Sequence, residues 1–477
     1  MLEVSEKEVI NRFRLDNPWW NAAHSIDEEL QNMPKRAYLS AFESLVQDLE
    51  VRRAVILMGP KRVGKTVMCF QTIQTLIRGG VEPNGILYLS LDTPIYSGVA
   101  LEALLNLFLQ LHERQNKNTL YVFYDEIQYL KHWGIHLKSL VDTYRNIRFV
   151  ASGSAAAALK LKSQESGAGR FTEFMLPPLT FSEYLKFIGK EDVLIPGRKE
   201  NGKFMTSDIH SLNEHFIDYI NIGGYPEAVF SERIRSNPAR YIRNDIIDKV
   251  LLRDLPSLYG INDIQELNRL FATLAYNSGQ EVSYEALSRS SGVAKNTIKK
   301  YIEYLEAAFL IVTVKRVDNN SKRFKRAVTL KVYLTNPSMR AALFEPVSDG
   351  QEVMGSIVET AIFSQWMHNS DATKTIHYAR WKSGEVDIVY LKPSEQKPDW
   401  VVEIKWSDRY IEHLNGLSSL IEFCKNNGLP VASVTSKSTY GTIDHEGIKI
   451  EFTPSSLYCY TVGKNTTGYE TERRLSR

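Results

Sequence analysis

Cysteine is scarce in this chain. Cys69, Cys424 and Cys459 are the three among 477 residues, far apart and without C-x-x-C spacing. That excludes a disulfide framework and a zinc ribbon, and it points to a reducing compartment. Long apolar runs are also missing. No stretch of about 18 apolar residues is present, so no membrane-spanning helix is expected. The charged stretch Met1 to Arg14 lacks the apolar run of a signal peptide, and a cytoplasmic protein is the expectation. Excess charge of either sign is absent: 58 Lys and Arg stand against 56 Asp and Glu, a net of +2. A chain so balanced is no general polyanion binder, and any nucleic-acid contact requires a local basic patch. Internal repeats and long low-complexity tracts are lacking too.

What is present suits an ordinary globular protein, with 43% hydrophobic and 24% charged residues. At roughly 100–200 residues per domain the length predicts about three domains. Residues 1–50 read as helices, with Pro18-Trp19-Trp20 marking a turn that carries two large apolar anchors. From Val51 the pattern becomes strands alternating with helices. Apolar runs at Ala54 to Met58, Ile86 to Leu91, Leu120 to Tyr124 and Ile147 to Ala151 read as buried strands, which implies an α/β fold with a parallel sheet covered on both faces. From Phe181 the chain looks mostly helical, broken at Gly223-Gly224-Tyr225-Pro226. Residues 280–335 hold two short helices and then β-rich runs. A helix after Glu352 leads to strands at Glu385–Leu391 and Trp400–Ile404, a helix near Glu412–Asn426 and a strand near Val431–Val434. The polar end from Gly463 onward reads as frayed.

Gly59-Pro60-Lys61-Arg62-Val63-Gly64-Lys65-Thr66 matches G-x-x-x-x-G-K-T, with a strand before it and a helix, beginning Thr66-Val67, after it. Such a loop wraps phosphates with backbone N–H groups at a helix N-terminus, where the dipole favours negative charge. Residues 59–67 are therefore expected to bind ATP. Lys65 is expected to reach the β- and γ-phosphates, and the Thr66 hydroxyl to bind Mg²⁺. Tyr121 to Tyr124 is an apolar run ending in Asp125-Glu126. Asp125 is the expected second holder of Mg²⁺, and Glu126 the base that orients and deprotonates the attacking water. The next strand ends at Ala151-Ser152-Gly153-Ser154, where Ser154, with Ser152 close behind, is the candidate contact to the γ-phosphate or the water. Arg170, after the turn Gly167-Ala168-Gly169, is either a surface arginine or an arginine finger supplied to a neighbouring subunit.

These residues resemble a group of prokaryotic AAA+ ATPases whose C-terminal part is a winged helix and a PD-(D/E)xK nuclease-like domain. The matching pieces are Asn17-Pro18-Trp19-Trp20, Gly59–Thr66, Leu89-Ser90-Leu91-Asp92, Asp125-Glu126-Ile127-Gln128, Gly153-Ser154, Gly169-Arg170 and Pro178-Leu179-Thr180-Phe181-Ser182-Glu183. Gly223-Gly224-Tyr225-Pro226-Glu227 and Leu255-Pro256 follow. The resemblance favours Arg170 as a finger and implies ATP-linked assembly of a homo-oligomer, commonly a ring, of which a hexamer is one form. The expected domains are an ATPase core over 1–180, a helical lid over 181–275, a winged helix-turn-helix over 276–345 and a nuclease-like α/β domain over 346–465.

In residues 281–317, Ser283 is a plausible N-cap for a helix over Tyr284–Ser290, and Ser291-Gly292-Val293 a turn. Ile298, Ile302, Leu305 and Phe309 set one buried face of the following helix, and Lys295, Asn296, Lys299 and Lys300 line the opposite one. A second helix of this kind can enter a DNA major groove. Val312–Val317 and Ala327–Leu334 would be wing strands, with the basic run Lys322-Arg323-Phe324-Lys325-Arg326 between them suited to phosphates. The alternative is a winged helix that contacts protein.

Asp387, in Gly384-Glu385-Val386-Asp387, precedes Glu403-Ile404-Lys405 by one strand, the PD-(D/E)xK pattern. Alternation puts Glu403 and Lys405 on one strand face, where Asp387 can share a divalent metal with Glu403. Glu359, on the helix before, completes the set of Glu359, Asp387, Glu403 and Lys405, with Glu385 as a second ligand or a neighbour. A second Mg²⁺ or Mn²⁺ is the expected cofactor, and Lys405 would stabilise charge or orient water. Three readings stay open: an ATP-driven machine that binds, remodels or cuts DNA, an ATP-switched signalling or scaffold protein with an inert nuclease-like end, and, as a minor reading, a transcription regulator that hydrolyses ATP.

Overall fold

The computed structural model describes residues 5–21, 26–112, 119–154, 169–198, 203–322, 329–369, 371–395 and 397–475. The chain divides into two units, Met1–Leu176 with Thr471–Arg477, and Pro177–Glu470.

In the first unit five short strands form one sheet: β1 (Ala54–Gly59), β2 (Ile86–Ser90), β3 (Leu120–Asp125), β4 (Ile147–Ser154) and β5 (Phe171–Met175). Every pairing is parallel and the order is β2-β3-β4-β1-β5. Parallel neighbours need long crossovers, and helices such as Lys65–Arg78, Leu101–Leu111 and Trp133–Thr143 supply them. With helices on the faces, strands β1 and β3 are buried at every position, which is why they read as unbroken apolar runs. Strand β4 lies between β1 and β3. In register, Gly59 faces Ser154 and Ser90 faces Asp125. The carboxyl ends of four strands therefore meet at one edge, the place where open α/β sheets bind ligands.

The segment before the sheet is tied to it. A capping box between Ser5 and Glu8 starts the Glu6–Asp16 helix. Asn17 then brackets Tyr88, donating to its carbonyl oxygen (2.9 Å) and accepting its backbone N–H (2.6 Å). The ring N–H groups of Trp19 and Trp20 both donate to the Ile86 carbonyl oxygen, at 3.3 and 2.8 Å.

The second unit opens with helices from Phe181–Phe187 to Ile264–Tyr276, interrupted by a small hairpin of β6 (Gly197–Arg198) and β7 (Phe204–Met205). The remaining strands are β8 (Glu281–Ser283), β9 (Ile311–Val317), β10 (Thr329–Leu334), β11 (Ile376–Arg380), β12 (Glu385–Leu391), β13 (Pro398–Glu403), β14 (Val431–Ser436), β15 (Gly441–His445) and β16 (Ile448–Pro454). All nine lie in a single sheet, ordered β15-β16-β14-β13-β12-β11-β9-β10-β8. The expected boundary at 345/346 thus falls inside one sheet. Strand β9 has two edges: β10 pairs with one and β11 with the other, in parallel from His377–Lys315 to Ala379–Val317.

The chain end departs from expectation. Ser455–Leu475 is a helix rather than a frayed tail. Thr466 and Thr467 are buried in it, and their hydroxyls donate back to the Val462 and Gly463 carbonyl oxygens at 2.8 and 2.9 Å. Self-satisfied threonines pack like apolar residues, so polar composition misleads there.

Candidate nucleotide site and C-terminal acidic cluster

The loop between β1 and the Lys65–Arg78 helix needs two glycines. A Cβ on Gly59 would lie 2.3 Å from the Leu176 carbonyl oxygen, and Gly64 starts the helix at φ +96°. Lys65 is 5% exposed, and its ammonium donates to the Gly59 (3.1 Å) and Pro60 (2.8 Å) carbonyl oxygens. The Arg36 guanidinium donates to the Val63 carbonyl oxygen at 2.7 Å and braces the loop from behind.

Asp125 is the hub. One carboxylate oxygen accepts from the Thr66 hydroxyl (2.8 Å) and the Tyr88 hydroxyl (2.7 Å). The other accepts from the Ser152 hydroxyl and the Glu126 backbone N–H (3.1 Å). Burial, with Asp125 beside it, pushes the Tyr88 phenol well above its ordinary range, so it stays a donor. Glu126 sits at φ +53°, a strained left-handed conformation for a non-glycine residue. Burial raises its carboxyl above the usual range against the pull of Lys65. The Gln128 amide donates to Glu126, and its carbonyl oxygen accepts the Ser154 backbone N–H at 3.0 Å. The Ser154 hydroxyl is buried with no protein partner.

The fold therefore gathers Lys65, Thr66, Asp125, Glu126, Ser152 and Ser154 at one edge. The two serines differ, since Ser152 is spent on Asp125 while Ser154 faces the site unpaired. ATP with Mg²⁺ fits this donor set: loop N–H groups, a lysine held by replaceable carbonyl bonds, a paired hydroxyl and carboxylate, and an orphaned hydroxyl. Arg170 stands apart at the start of β5, ion-paired with Asp142 in an exposed position; Gly167 and Ala168 lie outside the described residues. Tyr88 joins the site although nothing in the letters singles it out, and Gln128, the last residue of the Asp125-Glu126-Ile127-Gln128 stretch, joins it as the partner of Glu126. Tyr88 is one letter in an apolar run, and no spacing rule distinguishes it.

In the second unit, Glu359 on the Met354–Trp366 helix, Glu385 and Asp387 on β12, and Glu403 at the end of β13 converge. Lys405 lies beyond the end of β13, and its ammonium donates to Glu403 at 2.6 Å. Another cation stands among the acids. Lys331 of β10, 3% exposed in its side chain, pairs with Glu385 (2.5 Å), Glu359 (2.9 Å) and Asp387 (3.4 Å). The Tyr333 hydroxyl also donates to Glu359 (2.6 Å), and Asp387 accepts the Ile404 backbone N–H (2.9 Å). Burial lifts the Glu359 carboxyl to about 7 and that of Glu403 to about 8. Burial opposes charge on Lys331, but Glu359 and its neighbours outweigh it and raise the ammonium's pKa well above its ordinary value. Among the described residues no group of three His, Cys, Asp or Glu is placed to hold a metal ion. The expected ligands Glu359, Asp387 and Glu403 thus do not form such a group, and Lys331 is the cation that Glu359, Glu385 and Asp387 share.

The helix Ile264–Tyr276, β8, helices Tyr284–Ser291 and Lys295–Ala307, β9 and β10 follow in that order. Ser283 caps the Tyr284 helix, accepting the Ala286 N–H at 3.0 Å. On the second of these helices Asn296, Lys299 and Lys300 are exposed, while Lys295 is paired with Glu285. Lys322 is described and exposed, and Arg323 to Arg326 lie outside the described residues. No helix among those described is long and apolar enough to cross a membrane.

Residues 51–185 match the family model described as AAA domain, and residues 213–349 match one described as Domain of unknown function (DUF8612). The chain is similar to the uncharacterized protein MJ1637 of Methanocaldococcus jannaschii, 26% identical over 72% of this chain and 74% of that one. Among solved structures it is similar to Cdc6p from Pyrobaculum aerophilum, at 13% identity and TM-score 0.30, over 67% of this chain and 97% of that one. It also matches PCH-2 of C. elegans, at 16% identity and TM-score 0.27, over 42% of this chain and 60% of that one, less than two thirds of PCH-2. The chain carries an AAA domain over residues 51–185, with a P-loop at the edge of its parallel sheet.

Proposed function

We propose that the protein is a Mg²⁺-dependent ATP hydrolase that couples turnover to binding and remodelling of DNA. The observation that carries the ATPase reading is the Asp125 carboxylate, bonded at once to the Thr66 hydroxyl and Ser152, with Glu126 next to it. Lys65 exchanges its two carbonyl partners for β- and γ-phosphate oxygens. Thr66 and Asp125 would hold Mg²⁺, which when bound would draw charge from the phosphates. Glu126, its carboxyl raised by burial, takes a proton from the attacking water. Ser154 offers its unpaired hydroxyl to the γ-phosphate or that water, and Tyr88 and Ser152 keep Asp125 oriented. Arg170 acts on the site of a neighbouring copy in an oligomer, exchanging Asp142 for phosphate.

DNA binding is supported by the exposed Asn296, Lys299 and Lys300 on the second helix of a winged-helix order of elements. The C-terminal acids take no step, since they do not fit a metal. A second reading, protein contact through the same helix, is favoured by one observation: Glu285 neutralises Lys295 at its start. ATP turnover with and without duplex or single-stranded DNA, for wild type and Glu126→Gln, tests both. DNA-stimulated turnover that Glu126→Gln abolishes is expected. Turnover with no DNA binding at low salt favours protein contact, normal turnover in Glu126→Gln removes Glu126 as the base, and no turnover in wild type under any of these conditions rejects the ATPase reading.

A further inference from the structure

We propose that Lys331 is a built-in counter-cation that keeps divalent metal out of the Glu359–Asp387–Glu403 cluster, and that withdrawing its ammonium turns the cluster into a divalent-cation site. Nothing in this depends on ATP turnover.

A lysine side chain 3% exposed has lost its water and must be fully paired. Lys331 meets that need with three carboxylates from two elements, at 2.5, 2.9 and 3.4 Å. Its register on β10 is fixed on both sides, opposite Glu281 on β8 and Val314 on β9. The Tyr378 ring, 5.5 Å away, covers the ammonium on another side. The residue is held in place rather than draped over the acids.

Geometry then decides between lysine and metal. Magnesium binds carboxylate oxygens at about 2.0–2.1 Å and tolerates little distortion. An ion bridging the Glu359 and Asp387 oxygens that face Lys331 would stand at the ammonium's own position. A +2 and a +1 charge cannot share that space, so one must leave. The lysine is covalently tethered and satisfied, and it wins at ordinary metal concentrations.

Glu403 shows what the cluster becomes without the lysine. One of its oxygens is taken by Lys405, while the other is buried with no partner. It is 9% exposed, and Asp387 is tied to the end of the same strand through the Ile404 N–H. With Lys331 gone, Glu359 and Asp387 lose the cation they share, beside a Glu403 oxygen that already lacks a partner. Carboxylate oxygens are the hard donors that Mg²⁺ or Mn²⁺ prefers. Closing on the ion has to bring the three together, since they do not form a metal-holding group as they stand.

The test counts Mn²⁺ bound to full-length, nucleotide-free protein by electron paramagnetic resonance. Wild type and Asp387→Asn are expected to bind the same number of ions. Lys331→Met combined with Glu385→Gln, which removes a positive and a negative charge together, is expected to gain one Mn²⁺ per chain. Adding Asp387→Asn should abolish that gain. A wild-type site that Asp387→Asn removes overturns the proposal. So does a folded Lys331→Met/Glu385→Gln protein, checked by circular dichroism, that gains no ion. If neither lysine variant folds, wild type binding one Mn²⁺ more than Asp387→Asn still overturns the proposal.

Discussion

Gln128 holds Glu126: its side-chain amide donates to the glutamate carboxylate while its carbonyl oxygen accepts the Ser154 backbone N–H at 3.0 Å. The candidate base is thereby joined to the end of the strand that carries the unpaired Ser154 hydroxyl. Glu126→Gln is expected to cut ATP turnover by about 100-fold or more while ATP still binds, measured by phosphate release and by equilibrium binding. Normal turnover in that variant would remove Glu126 from its role.

The same pairing sets a pH dependence. Burial raises the Glu126 carboxyl, and the Gln128 bond lowers it. A base works only when deprotonated, so turnover should fall on the acid side at a pH above the ordinary glutamate range. Gln128→Ala removes a lowering influence and is expected to move that acid limb further up. A limb that stays put, or moves down, contradicts the assignment.

Tyr88 acts through Asp125. Tyr88→Phe removes one hydroxyl donor and leaves the ring against Phe70, 4.6 Å away. Loss of the bond should cost about 1 kcal/mol of stability. Turnover at saturating ATP should fall while ATP affinity in the absence of Mg²⁺ is unchanged, because only the orientation of the metal-holding carboxylate is disturbed. Equal loss of affinity without Mg²⁺ would indicate a general structural defect instead.

Trp19 anchors the N-terminal segment, 5% exposed, with its ring edge to Phe70 at 6.1 Å and its N–H on Ile86. Trp19→Ala is expected to destabilise the first unit by about 3–5 kcal/mol, read from the denaturant midpoint. A change below about 1 kcal/mol would mean the segment packs only loosely.

For nucleic acid, neutralising Lys299 and Lys300 should weaken binding to any DNA sequence alike. It should also reduce the slope of log affinity against log salt by about 1 for each DNA phosphate that is no longer neutralised. An unchanged slope in a binding titration would place DNA elsewhere or nowhere.

How much of this is legible in the letters follows from what each feature depends on. Strand β1 and the helix after it are readable because Gly64, Lys65 and the apolar run from Ala54 carry their meaning locally. Strand β12 likewise spans Glu385–Leu391, the range expected from the sequence. Tyr88 is not readable, because its hydroxyl matters only once β2 lies beside β3. Lys331 is hidden for the same reason. In Thr329–Leu334 it looks like a polar residue on a solvated wing, and only the register of β10 and the approach of the Met354–Trp366 helix carry it to Glu359. The helix over Ser455–Leu475 escapes the sequence because hydroxyls that bond back to their own helix count as polar in composition and as apolar in packing.

The double pairing of β9 sets where the chain can be divided. Severing the chain near residue 345 would strip β9 of β11 and leave a bare row of amides along Lys315 to Val317 on one fragment, with His377 to Ala379 equally bare on the other. Each fragment would present a sticky edge to its own copies. Residues on the two sides of position 345 are therefore joined through β9, and a cut there exposes an edge on both pieces.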